Sequence, residues 1–182
     1  MTPSSRKRAR AEPSRRTRPA PKPKIAVIGP GRVGSAIARL LKERGFPIAA
    51  VAGGAPESVR KAVEFIGAGK AARSLAAAAH AGDVVFLTPP DRQIKPVCDA
   101  VAAAKGFRRG SVVFHCSGAH DASLLDSARA CKARVAVLHP LQSFAGRDQA
   151  LRRMKGAFFT FDGDEAAQPA AEQIVEALGG VL

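Results

Sequence analysis

The string Gly29-Pro30-Gly31-Arg32-Val33-Gly34 constrains this chain more than any other feature, because of what stands on either side of it. Before it, Ile25, Ala26, Val27 and Ile28 form a continuous apolar run, the pattern of a parallel strand covered on both faces. After it, Val33, Ile37, Leu40 and Leu41 recur at helical spacing up to Gly45, a natural place for a helix to stop. The unit therefore reads as strand, glycine turn, helix. In that context each glycine has a reason: Gly29 for the tight turn, Gly31 for close approach of a pyrophosphate to the backbone, and Gly34 for close packing of helix on strand. Pro30 removes one backbone donor, while the amides of Arg32 and Val33 remain at a helix N-terminus whose dipole favours anions.

The same alternation continues along the chain. Pro47–Val51 is expected as a second strand, Glu57–Ile66 as a helix, Gly69–Arg73 as a short third strand and Ser74–His80 as a helix. Asp83–Thr88 reads as a buried strand stopped by Pro89 and Pro90, and Asp91 as the cap of a helix reaching about Ala104. Val112–His115, a helix over Ala122–Cys131, Val135–Leu138 ended by Pro140, Ala157–Phe161 and a helix over Ala166–Leu178 complete the reading. Strands alternating with helices through short connections imply one α/β domain with a doubly wound, mostly parallel sheet. Ligands of such sheets bind at the carboxyl ends of the strands.

Composition narrows the class. The 182 residues and 46% hydrophobic content suffice for one core. Nine of the lysines and arginines lie in the first 24 residues against Glu12 alone, with five prolines and almost no aliphatic side chains, so residues 1–23 are expected to be a disordered basic arm. Such an arm is either a solvated extension or a weak electrostatic contact with an acidic surface or nucleic acid. No apolar run is long enough to cross a bilayer, and the three cysteines form no CxxC pair, which together point to a reduced cytoplasmic setting with no membrane partner. The absence of tyrosine excludes the Tyr and Lys proton-transfer pair of short-chain dehydrogenases, and neither a GxSxG elbow nor a P-loop is present. With no Trp or Tyr for base stacking, nucleic acid is not the favoured partner.

The end of the second strand bears on the choice of cofactor. NAD-binding domains usually place a carboxylate there for the ribose hydroxyls. This chain has Ala52, Gly53, Gly54, Ala55 and Pro56, with Ser58, Arg60 and Lys61 beyond Glu57 as candidate acceptors of a 2′-phosphate. NADP is favoured over NAD, although Arg60 and Lys61 fit an exposed helix face equally well. At other strand ends His115, Ser117 and His139 are candidate catalytic groups, as acid, base or substrate anchor. The alternative for both histidines is a hydrogen-bonded role shaping loops beside Gly118 and Pro140. No metal site is expected, since ligand spacing is missing.

The strings IAVIGPGRVGSAIARLL, DVVFLTPPD, VVFHCSGAHDASLL, VAVLHPLQSFA and GAFFTFDGDEAA, with a closing LGG, resemble a group of Rossmann-like proteins. These are relatives of pyrroline-5-carboxylate reductase, prephenate dehydrogenase and deazaflavin-dependent NADP reductase, and carry a C-terminal helical domain of unknown function. The resemblance spans Lys24 to Leu182 and implies an NAD(P)-dependent oxidoreductase. It implies cofactor contacts at Gly29, Gly31, Arg32, Val33 and Gly34, with Thr88 and Pro89 near the nicotinamide ribose. The helical domain, which in related dehydrogenases supplies substrate contacts and the dimer interface, is not matched in these residues. It carries over no catalytic residue. The leading expectation is the cofactor-binding half of an oxidoreductase acting on an unknown small substrate, homodimeric if the helical domain is present. The alternatives are a non-catalytic nucleotide-binding or redox-sensing module, and nucleic-acid association through the basic arm.

Overall fold

The computed structural model describes residues 21–182, so the first 20 residues of the basic arm expected over residues 1–23 lie outside the described residues. The first described residues, 21–24, carry no regular structure, and Lys22 is held with its Nζ donating to the Arg44 carbonyl and lying 5.1 Å from the centre of the Phe46 ring.

The elements are β1 (Ile25–Ile28), α1 (Arg32–Glu43), β2 (Ile48–Ala52), α2 (Pro56–Ile66), β3 (Lys70–Ala71), α3 (Leu75–Ala81), β4 (Val84–Leu87) and α4 (Asp91–Ala103), followed by β5 (Val112–His115), a 3₁₀ turn (Ala122–Leu125) and α5 (Asp126–Ala130). The chain then forms β6 (Arg134–Pro140), α6 (Arg147–Met154), β7 (Phe159–Gly163), a second 3₁₀ turn (Glu165–Ala167) and α7 (Gln168–Leu178). One seven-stranded sheet has the order β3-β2-β1-β4-β5-β6-β7, parallel throughout except for β7, which runs antiparallel to β6. This is the expected doubly wound α/β architecture.

Period-two alternation divides the strand residues between two cores. Ile25, Val27, Val84, Phe86, Val112 and Phe114 face the layer formed by α1, α2, α6 and α7, where Phe86 and Phe114 meet with ring centres 5.6 Å apart. Ala26, Ile28, Val85, Leu87 and Val113 face the layer of α3, α4 and α5. Both faces being covered is why these strands are unbroken apolar runs. From β1 the chain winds outward to β3, then returns to place β4 on the other side of β1. The crevice lies where the winding reverses, above the carboxyl ends of β1 and β4.

Several boundaries depart from the sequence reading. Asp91 is not the cap of α4 but its first residue, with Pro90 in the N-cap position. The short third strand shrinks to Lys70–Ala71, and the expected helix over Ala122–Cys131 divides into a 3₁₀ turn and one short helix. The sixth strand ends at Pro140 as expected but is longer than Val135–Leu138, running Arg134–Pro140 with Pro140 itself paired with Phe159. The seventh strand lies two residues later than expected, since Phe158 bridges Val181 and pairing with β6 starts only at Phe159. The largest departure is α6, in a stretch where the sequence pattern predicts no element. Only Ala150 and Met154 are fully buried in its eight residues, too few to show helical periodicity; docking against α1, not an apolar stripe, holds it.

Candidate functional site

The glycine turn is built from three different backbone requirements. Gly29 stands at φ 84°, and a Cβ there would sit 2.3 Å from the Pro89 nitrogen, so only glycine fits. Its amide donates to the Ala52 carbonyl at 2.9 Å, tying the turn to the end of β2. A Cβ on Gly34 would lie 2.1 Å from Thr88 Oγ1, which itself donates to the Gly29 carbonyl at 2.7 Å. Close packing at Gly34 thus serves the β4 loop as well as β1. Gly31 differs, because a Cβ there would meet only the Gly29 carbonyl at 4.0 Å. Its open side faces solvent, as a position for close ligand approach requires.

The amides of the first turn of α1 have no intrahelical acceptor, no side chain caps them among the described residues, and no acidic residue stands in that turn. Anion-binding capacity is therefore left unsatisfied at the helix start. The loop itself is fixed. Pro30's carbonyl accepts from Ser35 Oγ at 2.8 Å and from Arg147 Nη2 at 3.0 Å, and the Gly31 amide donates to the Gly29 carbonyl at 2.7 Å.

A cleft of about 330 Å³ opens over this turn. Gly29, Pro30 and Gly31 form one wall, Gly53, Gly54 and Ser58 a second, and Thr88, Pro89 and Gln93 a third. Among the described residues no carboxylate lines it, and Arg147 is the charged group that does. Gly53 stands at φ 106° with its missing Cβ 3.0 Å from the Gly29 nitrogen, so the end of β2 presses against the glycine turn. Thr88 and Pro89 also border a smaller cavity of about 90 Å³, lined besides by Val33, Asp91, Cys116 and Ser117. Burial pushes the Cys116 thiol up to about 12, leaving a protonated, unreactive group.

The structure thus brings together Gly29, Pro30, Gly31, Gly53, Ser58, Thr88 and Pro89, with Val33 and Gly34 directly behind them. Arg32 is not among the residues lining the cleft; its exposed side chain donates from Nη1 to the Ala145 carbonyl at 3.5 Å. Arg60 is not brought to the cleft: its guanidinium is engaged with Glu57 at 2.7 Å and with Glu64, on the exposed face of α2. Arg147 and Gln93 were missed by sequence reasoning. The signal available for Arg147 was the basic stretch RDQALRR, which resembles an ordinary solvated segment until α6 is docked.

His115 and Ser117 form a closed network. His115 is fully buried; its Nδ1 accepts from the Ser117 amide at 3.2 Å, which leaves Nε2–H to donate to the Asp121 carbonyl at 2.9 Å. Burial lowers the His115 pKa and keeps the ring neutral. Ser117 Oγ accepts from the Ala119 amide at 3.3 Å. His139 Nδ1 donates to the Cys116 carbonyl at 2.9 Å, and Gly118 packs against its ring, where a Cβ would lie 2.4 Å from Nε2. Both histidines hydrogen-bond to the loop between β5 and the 3₁₀ turn.

The sequence over residues 10–140 matches the Rossmann-like domain family. The chain belongs to that family. No curated protein matches the sequence, whereas many solved structures share the fold. Mycobacterium tuberculosis 3-hydroxyisobutyrate dehydrogenase with L-serine is 18% identical with a TM-score of 0.72, covering 88% of this chain and 54% of its own. Prephenate dehydrogenase from Aquifex aeolicus, in complex with hydroxyphenyl propionate and NAD+, is 20% identical with a TM-score of 0.68, covering 87% and 58%. A pyrroline-5-carboxylate reductase from Coxiella burnetii is 20% identical with a TM-score of 0.61, covering 87% and 57%. This Rossmann-like domain therefore spans little more than half the length of these structures, and two of the three have the enzyme names that the sequence motifs resemble.

Proposed function

We propose that this chain is the NAD(P)-binding domain of an oxidoreductase and that it takes NADPH in preference to NADH. One observation carries the reading: a cleft over an uncapped helix N-terminus, bounded by the glycine turn and by a carboxylate-free end of β2. The residues present suit a dinucleotide. Gly31 leaves room for a pyrophosphate against the backbone, and the first amides of α1 supply donors to it. Gly53, Gly54 and Ser58 stand where NAD-binding domains usually carry a carboxylate for the ribose hydroxyls, and among the described residues no carboxylate lines that wall against a 2′-phosphate. Thr88 and Pro89, between the two cavities, border the path from the phosphates toward the smaller cavity and would orient the nicotinamide end.

A bound nicotinamide supplies or accepts a hydride; the protein contributes binding, orientation and exclusion of water. The names of the similar structures support an oxidoreductase and leave the substrate as an unidentified small molecule. The test is calorimetric titration of the chain with NADPH and NADH. Micromolar binding with NADPH the tighter is expected, and affinity no better than millimolar for both would overturn the reading.

A further inference from the structure

One cation reaches the cleft from a segment more than a hundred residues beyond the glycine turn. Arg147, the first residue of α6, lines the cleft with Pro30, Gly31, Gly54 and Ser58. Its Nη2 donates to the Pro30 carbonyl at 3.0 Å, and the guanidinium carbon lies 5.6 Å from the centre of the Phe65 ring. Those contacts fix the plane of the group without neutralising it: the carbonyl takes one of five N–H donors, and the ring takes only a face. No carboxylate pairs with Arg147 among the described residues, although six other arginine and lysine side chains do find one. A half-buried guanidinium of fixed orientation with unused donors, lining the same cleft as the glycine turn, is suited to an oxyanion.

We propose that Arg147 clamps a phosphate of the bound dinucleotide against the glycine turn, an inference that rests on the cofactor reading above. α6 is then part of the binding machinery, and the contact to Pro30 presets the loop and the cation together. Two phosphates of the ligand share this chemistry, the pyrophosphate and the 2′-phosphate, and NADPH and NADH separate them.

The experiment compares wild-type protein with Arg147→Gln, which keeps an amide donor for Pro30 while removing the charge, and Arg147→Lys, which keeps the charge. Dissociation constants for NADPH and NADH are measured by titration, with thermal melting as a control for folding. Hydrogen bonds to charged groups are worth about 1.5–3 kcal/mol, so Arg147→Gln should weaken binding by about tenfold or more, with Arg147→Lys losing less. A loss confined to NADPH assigns the 2′-phosphate, and an equal loss for both assigns the pyrophosphate. Unchanged affinity in Arg147→Gln, or equal losses for Gln and Lys, overturns the proposal, the second by showing that Arg147 only scaffolds the loop. If wild-type protein binds neither dinucleotide, it is the cofactor reading that has failed.

Discussion

The carboxyl ends of β1 and β4 and those of β5 and β6 lie side by side in one sheet, yet they use their polar groups in opposite ways. At β1 and β4 the chain leaves donors free: the first amides of α1 are uncapped and Arg147 has no carboxylate partner among the described residues. At β5 and β6 the polar groups bond within the chain, His115 through both ring nitrogens to Ser117 and Asp121, and His139 through Nδ1 to Cys116. An end that receives a ligand must keep binding capacity in reserve, whereas an end that shapes loops satisfies its groups itself. Polar residues at a strand end therefore do not by themselves mark a reaction site.

The comparison breaks most easily at the glycine turn. Gly29→Ala places a methyl group 2.3 Å from the Pro89 nitrogen at φ 84°. The strain and overpacking should destabilise the fold by on the order of 2–5 kcal/mol in urea unfolding and abolish measurable NADPH binding. Retained affinity would show that the turn is not the receiving end. Next in size, His115→Ala removes a buried ring with two backbone partners. Stability should fall by about 1–3 kcal/mol while the Kd for NADPH stays within about threefold. A large affinity loss without destabilisation would return His115 to the catalytic candidates.

A smaller effect follows from the same ring's lowered pKa. Below the ordinary histidine value of about 6.5, the unfolded chain takes up a proton that buried His115 refuses, so stability falls as pH drops until the folded-state pKa is reached. The slope from this one group is at most about 1.4 kcal/mol per pH unit, and His115→Gln should remove that share from denaturation curves taken between neutral pH and pH 5. The smallest effect is expected at Arg60. Because it is committed to Glu57 and Glu64 on an exposed helix face, Arg60→Ala should alter the Kd for NADPH by less than about twofold. A stronger effect would extend the receiving end onto α2.

How much was legible follows from the range of the interactions involved. Ile25–Ile28, the glycine spacing and the carboxylate-free stretch from Ala52 to Pro56 are local patterns, and each fixes a backbone conformation or a face within a few residues. They suffice for the α/β class, the parallel central strands and the position of the cleft, because periodicity and chirality leave few ways to pack such units. The antiparallel turn of β7 and the existence of α6 were not legible, since each depends on partners distant in sequence: β7 on β6 and Val181, and α6 on the surface of α1. The same holds for the charges. Arg60, which the sequence offers as a phosphate acceptor, is paired within its own helix with Glu57 and Glu64, whereas Arg147, which no local pattern marks, reaches the cleft only through the docking of α6. What a guanidinium can do is set by its chemistry, but what it faces is decided only when helices dock on the sheet.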